Sequence, residues 1–131
     1  MSTSPRARRR CNDLRVVVVD DAEAFRQALA ENLRDDGHPV REHADPREVG
    51  SLDDVDVLIT DFEMRSMDGV AYADLVHAEW PRIVIVLITA YWTVELESAL
   101  ARRPFVRLWR KPVDYDLLHA ELHLSAEAAS E

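Results

Sequence analysis

Apolar residues in this chain come in short, dense runs, and each run meets a polar group where it stops. Val16-Val17-Val18-Val19 leads into Asp20-Asp21, and Val57-Leu58-Ile59-Thr60 leads into Asp61. Ile83-Val84-Ile85-Val86-Leu87-Ile88 leads into Thr89, and Phe105-Val106-Arg107-Leu108-Trp109 stops just short of Lys111. Continuous branched runs of this length predict strands buried on both faces of a parallel sheet. A weaker strand is predicted at Val40–His43, and the run before Asp61 is extended back to Val55. Between the runs the period becomes helical. Phe25, Leu29 and Leu33 fall at spacing four within 22–36, and Gly37 stands where a C-terminal cap with positive φ is cheap. Val70, Ala73 and Val76 mark the inner side of a helix over 69–79, which the Trp80-Pro81 pair should end. A further helix is predicted over 93–103. A last one, capped by Asp114, carries Leu117, Leu118, Leu122 and Leu124. Asp45-Pro46 reads as a cap plus first-turn proline opening a short helix to about Ser51.

Five alternations of strand and helix predict an α/β domain, a doubly wound five-stranded parallel sheet with helices on both faces. In such a sheet, functional groups gather beyond the carboxyl ends of the strands. Asp20, Asp21, Asp61, Thr89 and Lys111 would therefore meet in one crevice. Neighbouring carboxylates repel each other, and a bound cation is the natural way to offset that. Oxygen donors without His or Cys select Mg²⁺ or Ca²⁺ over zinc, and a few carboxylates completed by water is the Mg²⁺ pattern. A carboxylate such as Asp61 can attack a phosphoryl group, with a cation and a lysine neutralising the charge. Each residue also has a plainer reading: aspartates as turn and cap formers, Thr89 as a strand end, Lys111 as a surface charge. Lys111 is the only lysine, beside fifteen arginines. Pro112 after it makes that peptide bond a candidate for the cis form.

Composition narrows the classes. At 131 residues, 47% of them hydrophobic, the chain fits one soluble domain with a sizeable core. No apolar run approaches the ~20 residues that cross a bilayer, so no membrane association is expected. Residues 1–15 hold five arginines against one aspartate (+4), while the remainder holds 11 basic and 24 acidic residues (−13). An acidic body argues against direct nucleic-acid binding, which depends on phosphate contacts. Residues 1–13 read as a flexible basic tail and 14–128 as the folded domain. The single Cys11 fits a reducing cytoplasm.

Taken together, the motifs resemble the receiver (response-regulator) domain of two-component signalling over about Leu14 to Leu124. The residues that carry the likeness are Val16–Asp21 followed by Phe25-Arg26, the stretch Asp61-x-x-Met-x-x-Met-Asp-Gly, Thr89-Ala90, and Lys111-Pro112. The resemblance implies a flavodoxin-like receiver fold, here of the stand-alone type, with Asp61 accepting a phosphoryl group from a histidine kinase or histidine phosphotransfer protein. It also implies Mg²⁺ held by Asp20, Asp21, Asp61 and the backbone carbonyl of Glu63, with Thr89 and Lys111 contacting the phosphoryl oxygens. The chain would then be no enzyme beyond its own phosphorylation and dephosphorylation. Its output would be a shape recognised by a downstream protein, or a homodimer, through the 93–103 helix, the fifth strand and the last helix.

Several positions depart from the family pattern. Leu108 stands where Tyr or Phe usually reports the switch, Arg65 replaces the usual proline, and Pro104-Phe105 replaces a small pair. Arg65 predicts a less rigid loop. Tyr91, Trp92 and Trp109 are expected near the same face, either as plain packing residues or with one of them taking over from the missing aromatic. Glu63 and Tyr91 hold the positions that tune acyl-phosphate lifetime. The competing readings are an interaction module that no longer depends on phosphorylation, favoured by Leu108, a metal-dependent phosphatase with an aspartyl nucleophile, and a piece of a longer transcription factor whose DNA-binding domain lies outside this sequence.

Overall fold

The computed structural model describes residues 14–130. The basic tail and Cys11 lie outside them. Five parallel strands form one sheet in the order β2-β1-β3-β4-β5. They are β1 (Val16–Val19), β2 (Val40–His43), β3 (Val57–Asp61), β4 (Val84–Thr89) and β5 (Val106–Arg110). The helices are α1 (Glu23–Asp35), α2 (Gly69–Glu79), α3 (Val94–Ala101) and α4 (Tyr115–Ser130). The fifth helical unit is a single 3-10 turn, Pro46–Glu48. It has the expected Asp45 cap, whose side chain accepts from the Arg47 amide at 2.9 Å. It goes no further because only Pro46, Val49 and Leu52 turn inward there.

Strands β1, β3 and β4 are buried throughout, as continuous Val/Ile/Leu runs require. Alternate residues serve two separate cores. Val16, Val18, Val57, Ile59, Val86 and Ile88 pack with Leu29, Leu33, Leu118 and Leu122, so α1 and α4 cover that face. Val17, Val19, Leu58, Ile85, Leu87 and Val106 pack with Tyr72, Ala73, Val76 and Leu96, so α2 and α3 cover the other. The registers Val16↔Val57 and Val57↔Val84 keep residues of one core side by side across the sheet. The order reverses between β1 and β3, which places the crevice over the ends of those two strands.

Local signals behave as their chemistry predicts. Gly37 adopts φ 96° after α1. Asp68, Thr93 and Asp114 accept from the amides of Ala71 (2.8 Å), Leu96 (3.1 Å) and Leu117 (3.2 Å), capping α2, α3 and α4. β1 and β2 have the bounds of their predicted runs, while β3, β4 and β5 sit one or two residues later. Asp61, Thr89 and Arg110 belong to the hydrogen-bonded ladder, which does not depend on side-chain polarity.

The last helix divides its four leucines between two sides. Leu118 and Leu122 are fully buried, but Leu117 and Leu124 are 61% and 70% exposed. The buried side follows 118, 122 and 126 at spacing four, and 117 and 124 lie off it. Phe105 is another departure: it stacks on His77 of α2 with ring centroids 3.7 Å apart. The bulk that replaces a small pair therefore leans on α2. Among the described residues no helix is long and apolar enough to cross a membrane.

Leu118→Ala is expected to cost about 3 kcal/mol, since it opens a cavity in a closed core. Leu117→Ala should stay within about 0.5 kcal/mol. Urea unfolding of both variants checks the assignment of the α4 faces.

Candidate functional site

Asp20, Asp21 and Asp61 each offer a carboxylate oxygen, and these atoms lie within 4.8 Å of one another. Asp20 and Asp61 are 2% and 6% exposed, while Asp21 faces solvent. Asp61 is the last residue of β3, and Asp20 follows β1 directly, so adjacent strands deliver them to one edge. Lys111, just past β5, reaches across. Its Nζ lies 3.0 Å from Asp20 Oδ2 and 3.6 Å from Asp61 Oδ1. The Lys111 amide donates to the Thr89 carbonyl at 2.8 Å, and the Lys111-Pro112 bond is cis, as the dipeptide predicted.

One ammonium faces three carboxylates, and the imbalance shows. The Asp61 carboxyl is pushed up to about 6, first by burial and then by the charge of Asp20, with Lys111 pulling the other way. Asp20 also does the plain structural job foreseen for it. Its Oδ1 accepts from the Ala22 amide at 2.8 Å at the start of α1, where Ala22 has no side chain to cap with. Asp20 thus starts α1 with one oxygen and meets Lys111 with the other.

Two neighbours were not read from the sequence as site residues. Phe25 carries its ring 4.4 Å under the Lys111 ammonium, adding a cation–π contact. Arg26 donates to the Asp20 carbonyl (2.9 Å) and pairs with Glu42 (3.1 Å), tying α1 and β2 behind the acidic pair. Their place one helical turn after the acidic pair was the available signal. Glu63 is exposed, in the segment that follows Asp61.

Thr89 is buried, but its hydroxyl is turned onto the backbone of Tyr91. It donates to the Tyr91 carbonyl and accepts from the Tyr91 amide, both at 3.0 Å. Leu108 is packed against the α2–α3 core. The three aromatics expected together are separated. Tyr91 is 67% exposed, and Trp92 donates to Glu97 at 2.6 Å with the Arg110 guanidinium 5.0 Å over its ring. Trp109 points to the opposite face, packs with the α1–α4 core and bonds Glu121. Strand alternation explains this: residues 108 and 110 share a side and 109 does not.

Residues 16–123 match the response regulator receiver domain. The chain belongs to that family. A receiver domain protein from Methanospirillum hungatei JF-1 superposes with a TM-score of 0.82 at 18% identity, covering 90% of this chain and 97% of the other. The receiver domain of an HD domain-containing protein from Pseudomonas fluorescens Pf-5 gives 0.82 at 22% identity, with 91% and 99% covered. At these identities the likeness speaks for the receiver fold. In sequence, a cyclic di-GMP phosphodiesterase of Thermotoga maritima is 26% identical over 108 residues, which are 82% of this chain. The chain spans only 29% of that protein's length.

A carboxyl held above its unfolded value costs stability once it ionises. For Asp61 that cost is absent below the ordinary value of 3.8, grows as pH rises, and is complete above about 6. In chelator at pH 7, Asp61→Asn should stabilise this receiver by roughly 2–3 kcal/mol, and the gain should vanish near pH 4. Denaturation at both pH values tests it. Equal losses in the two chains would show that Asp61 is not the strained group.

Proposed function

We propose that Asp61 is the phosphoacceptor of this receiver, serving a histidine kinase or histidine phosphotransfer protein. The observation that carries the reading is a buried strand-end carboxylate whose neighbours are two more carboxylates and a lysine. An Asp61 carboxylate oxygen attacks phosphorus on a phosphohistidine. The P–N bond breaks as the O–P bond forms, and the leaving imidazole takes a proton from solvent. Hydrolysis later returns the carboxylate and inorganic phosphate.

The residues fit a hard divalent cation. The donors are oxygen only, and they stand close enough together to share one ion. Asp20, Asp21, Asp61 and the Glu63 carbonyl would hold Mg²⁺, which supplies neutralisation of the incoming phosphoryl charge. Lys111, placed between Asp20 and Asp61, trades carboxylate contact for contact with a phosphoryl oxygen. Thr89 can do the same only by leaving the Tyr91 backbone, so the loop after β4 is released as the site is filled. This links chemistry to the surface around Tyr91, Trp92 and α3, which a downstream protein or a second copy would read. The output is a conformational state in the cytoplasm, with no released product beyond phosphate.

A second reading, an interaction module independent of phosphorylation, draws on Leu108, which is already packed in the core and offers no aromatic to rotate. Intact mass after incubation with Mg²⁺ and a small acyl-phosphate donor separates the two. One phosphoryl adduct is expected on the native chain, and none on Asp61→Asn or in chelator. Absence of an adduct with every donor would overturn the phosphoacceptor reading and leave the module.

A further inference from the structure

A second cluster of ligating side chains lies away from the acidic pocket. His38 precedes β2, and His119 and His123 are four residues apart on α4. Ligand atoms of the three rings fall within 4.8 Å of one another. His119 Nε2 lies 2.7 Å from His38 Nε2 and 3.2 Å from His123 Nε2. We propose that His38, His119 and His123 form a second metal site, specific for a borderline divalent transition metal of the zinc class.

The chemistry favours that class. Three imidazole nitrogens with a fourth position left to water are a zinc-type donor set, distinct from the oxygen-only pocket at the other end of the strands. Zn–N bonds of ~2.0–2.1 Å in a tetrahedron put the nitrogens ~3.3 Å apart. The His119–His123 pair already has that spacing, and the His38–His119 pair must open by about half an ångström. A carboxylate stands behind the central ligand, with Asp36 Oδ2 3.8 Å from His119 Nδ1. The same oxygen accepts from the Tyr115 hydroxyl at 2.8 Å, and the Tyr115 ring stacks on His119. Closing that gap to hydrogen-bond distance would let the carboxylate orient the ligating imidazole.

Metal binding has a visible cost on one side. The Leu14 amide donates to His38 Nδ1 at 2.9 Å, so without metal His38 carries its proton on Nε2, facing His119. Coordination at Nε2 moves the remaining proton to Nδ1, where it opposes the Leu14 N–H. The bond to Leu14 must then open. Metal at this site therefore clamps α4 to the turn between α1 and β2 and loosens the entry to β1.

Calorimetric titration with Zn²⁺ tests the site, on the full chain with Cys11→Ser to silence the thiol and excess Mg²⁺ to occupy the acidic pocket. One Zn²⁺ per chain is expected, together with a rise in thermal midpoint. His119→Gln and His123→Gln should each weaken binding at least tenfold, and Asp36→Asn about tenfold. Hydrogen exchange should show faster exchange at the Leu14 amide when Zn²⁺ is bound. Affinity unchanged in both α4 variants, or no Zn²⁺ bound, overturns the site. Binding that survives His38→Gln with Leu14 exchange unmoved overturns the three-ligand arrangement in favour of a helix pair. Circular dichroism of each variant separates lost binding from lost fold.

Discussion

Burial of β1, β3 and β4 on both faces leaves no place for a charge along those strands, so polar groups gather where the strands end. Asp20, Asp61 and Thr89 are buried only because they stand at that edge, beside one another. The electrostatic cost is real: a carboxylate below 10% exposure beside another is not at ease, and one lysine cannot neutralise three acids. The rest of the pocket reads as a response to that tension. Arg26 braces the Asp20 carbonyl, Phe25 supports the ammonium from below, and Lys111 divides itself between two carboxylates.

Much of this was legible in the chain because two periods rarely coincide by accident. Four apolar runs, each meeting a polar residue of defined type, located the strands and the crevice together. Capping residues such as Asp45 and Asp114 announced themselves, since their side chains act within three residues of their own position. What stayed hidden depends on longer-range geometry. Nothing local says which leucines of α4 face inward, because 117 and 118 are equally apolar and only the sheet decides. The separation of Trp109 from Trp92 follows from pleating, a property of the strand in its ladder. The Thr89 hydroxyl looked free for a phosphoryl oxygen, yet the turn at Tyr91 gives it two backbone partners.

The molecule has two chemically distinct ends. Oxygen donors collect where strands finish, and imidazoles collect near where β1 and β2 begin. Helix α4 spans both: its first turn follows Lys111 and Pro112, and its middle carries His119 and His123.

The segment 62–68 closes on itself. The Gly69 amide donates to the Phe62 carbonyl at 2.8 Å, and a Cβ on Gly69 would stand 2.5 Å from the Asp61 carbonyl oxygen and collide with Leu87 Cδ1. Ser66 is tied to Asp45 at 2.8 Å, and Asp68 caps α2. The base of the loop is thus pinned by backbone, and its tip by one hydroxyl. That division shows where the loop's stiffness comes from with Arg65 at its tip: the backbone closure beneath. Any side chain at position 69 would therefore have to push the end of β3 away from the start of α2, and the acidic pocket would move with it.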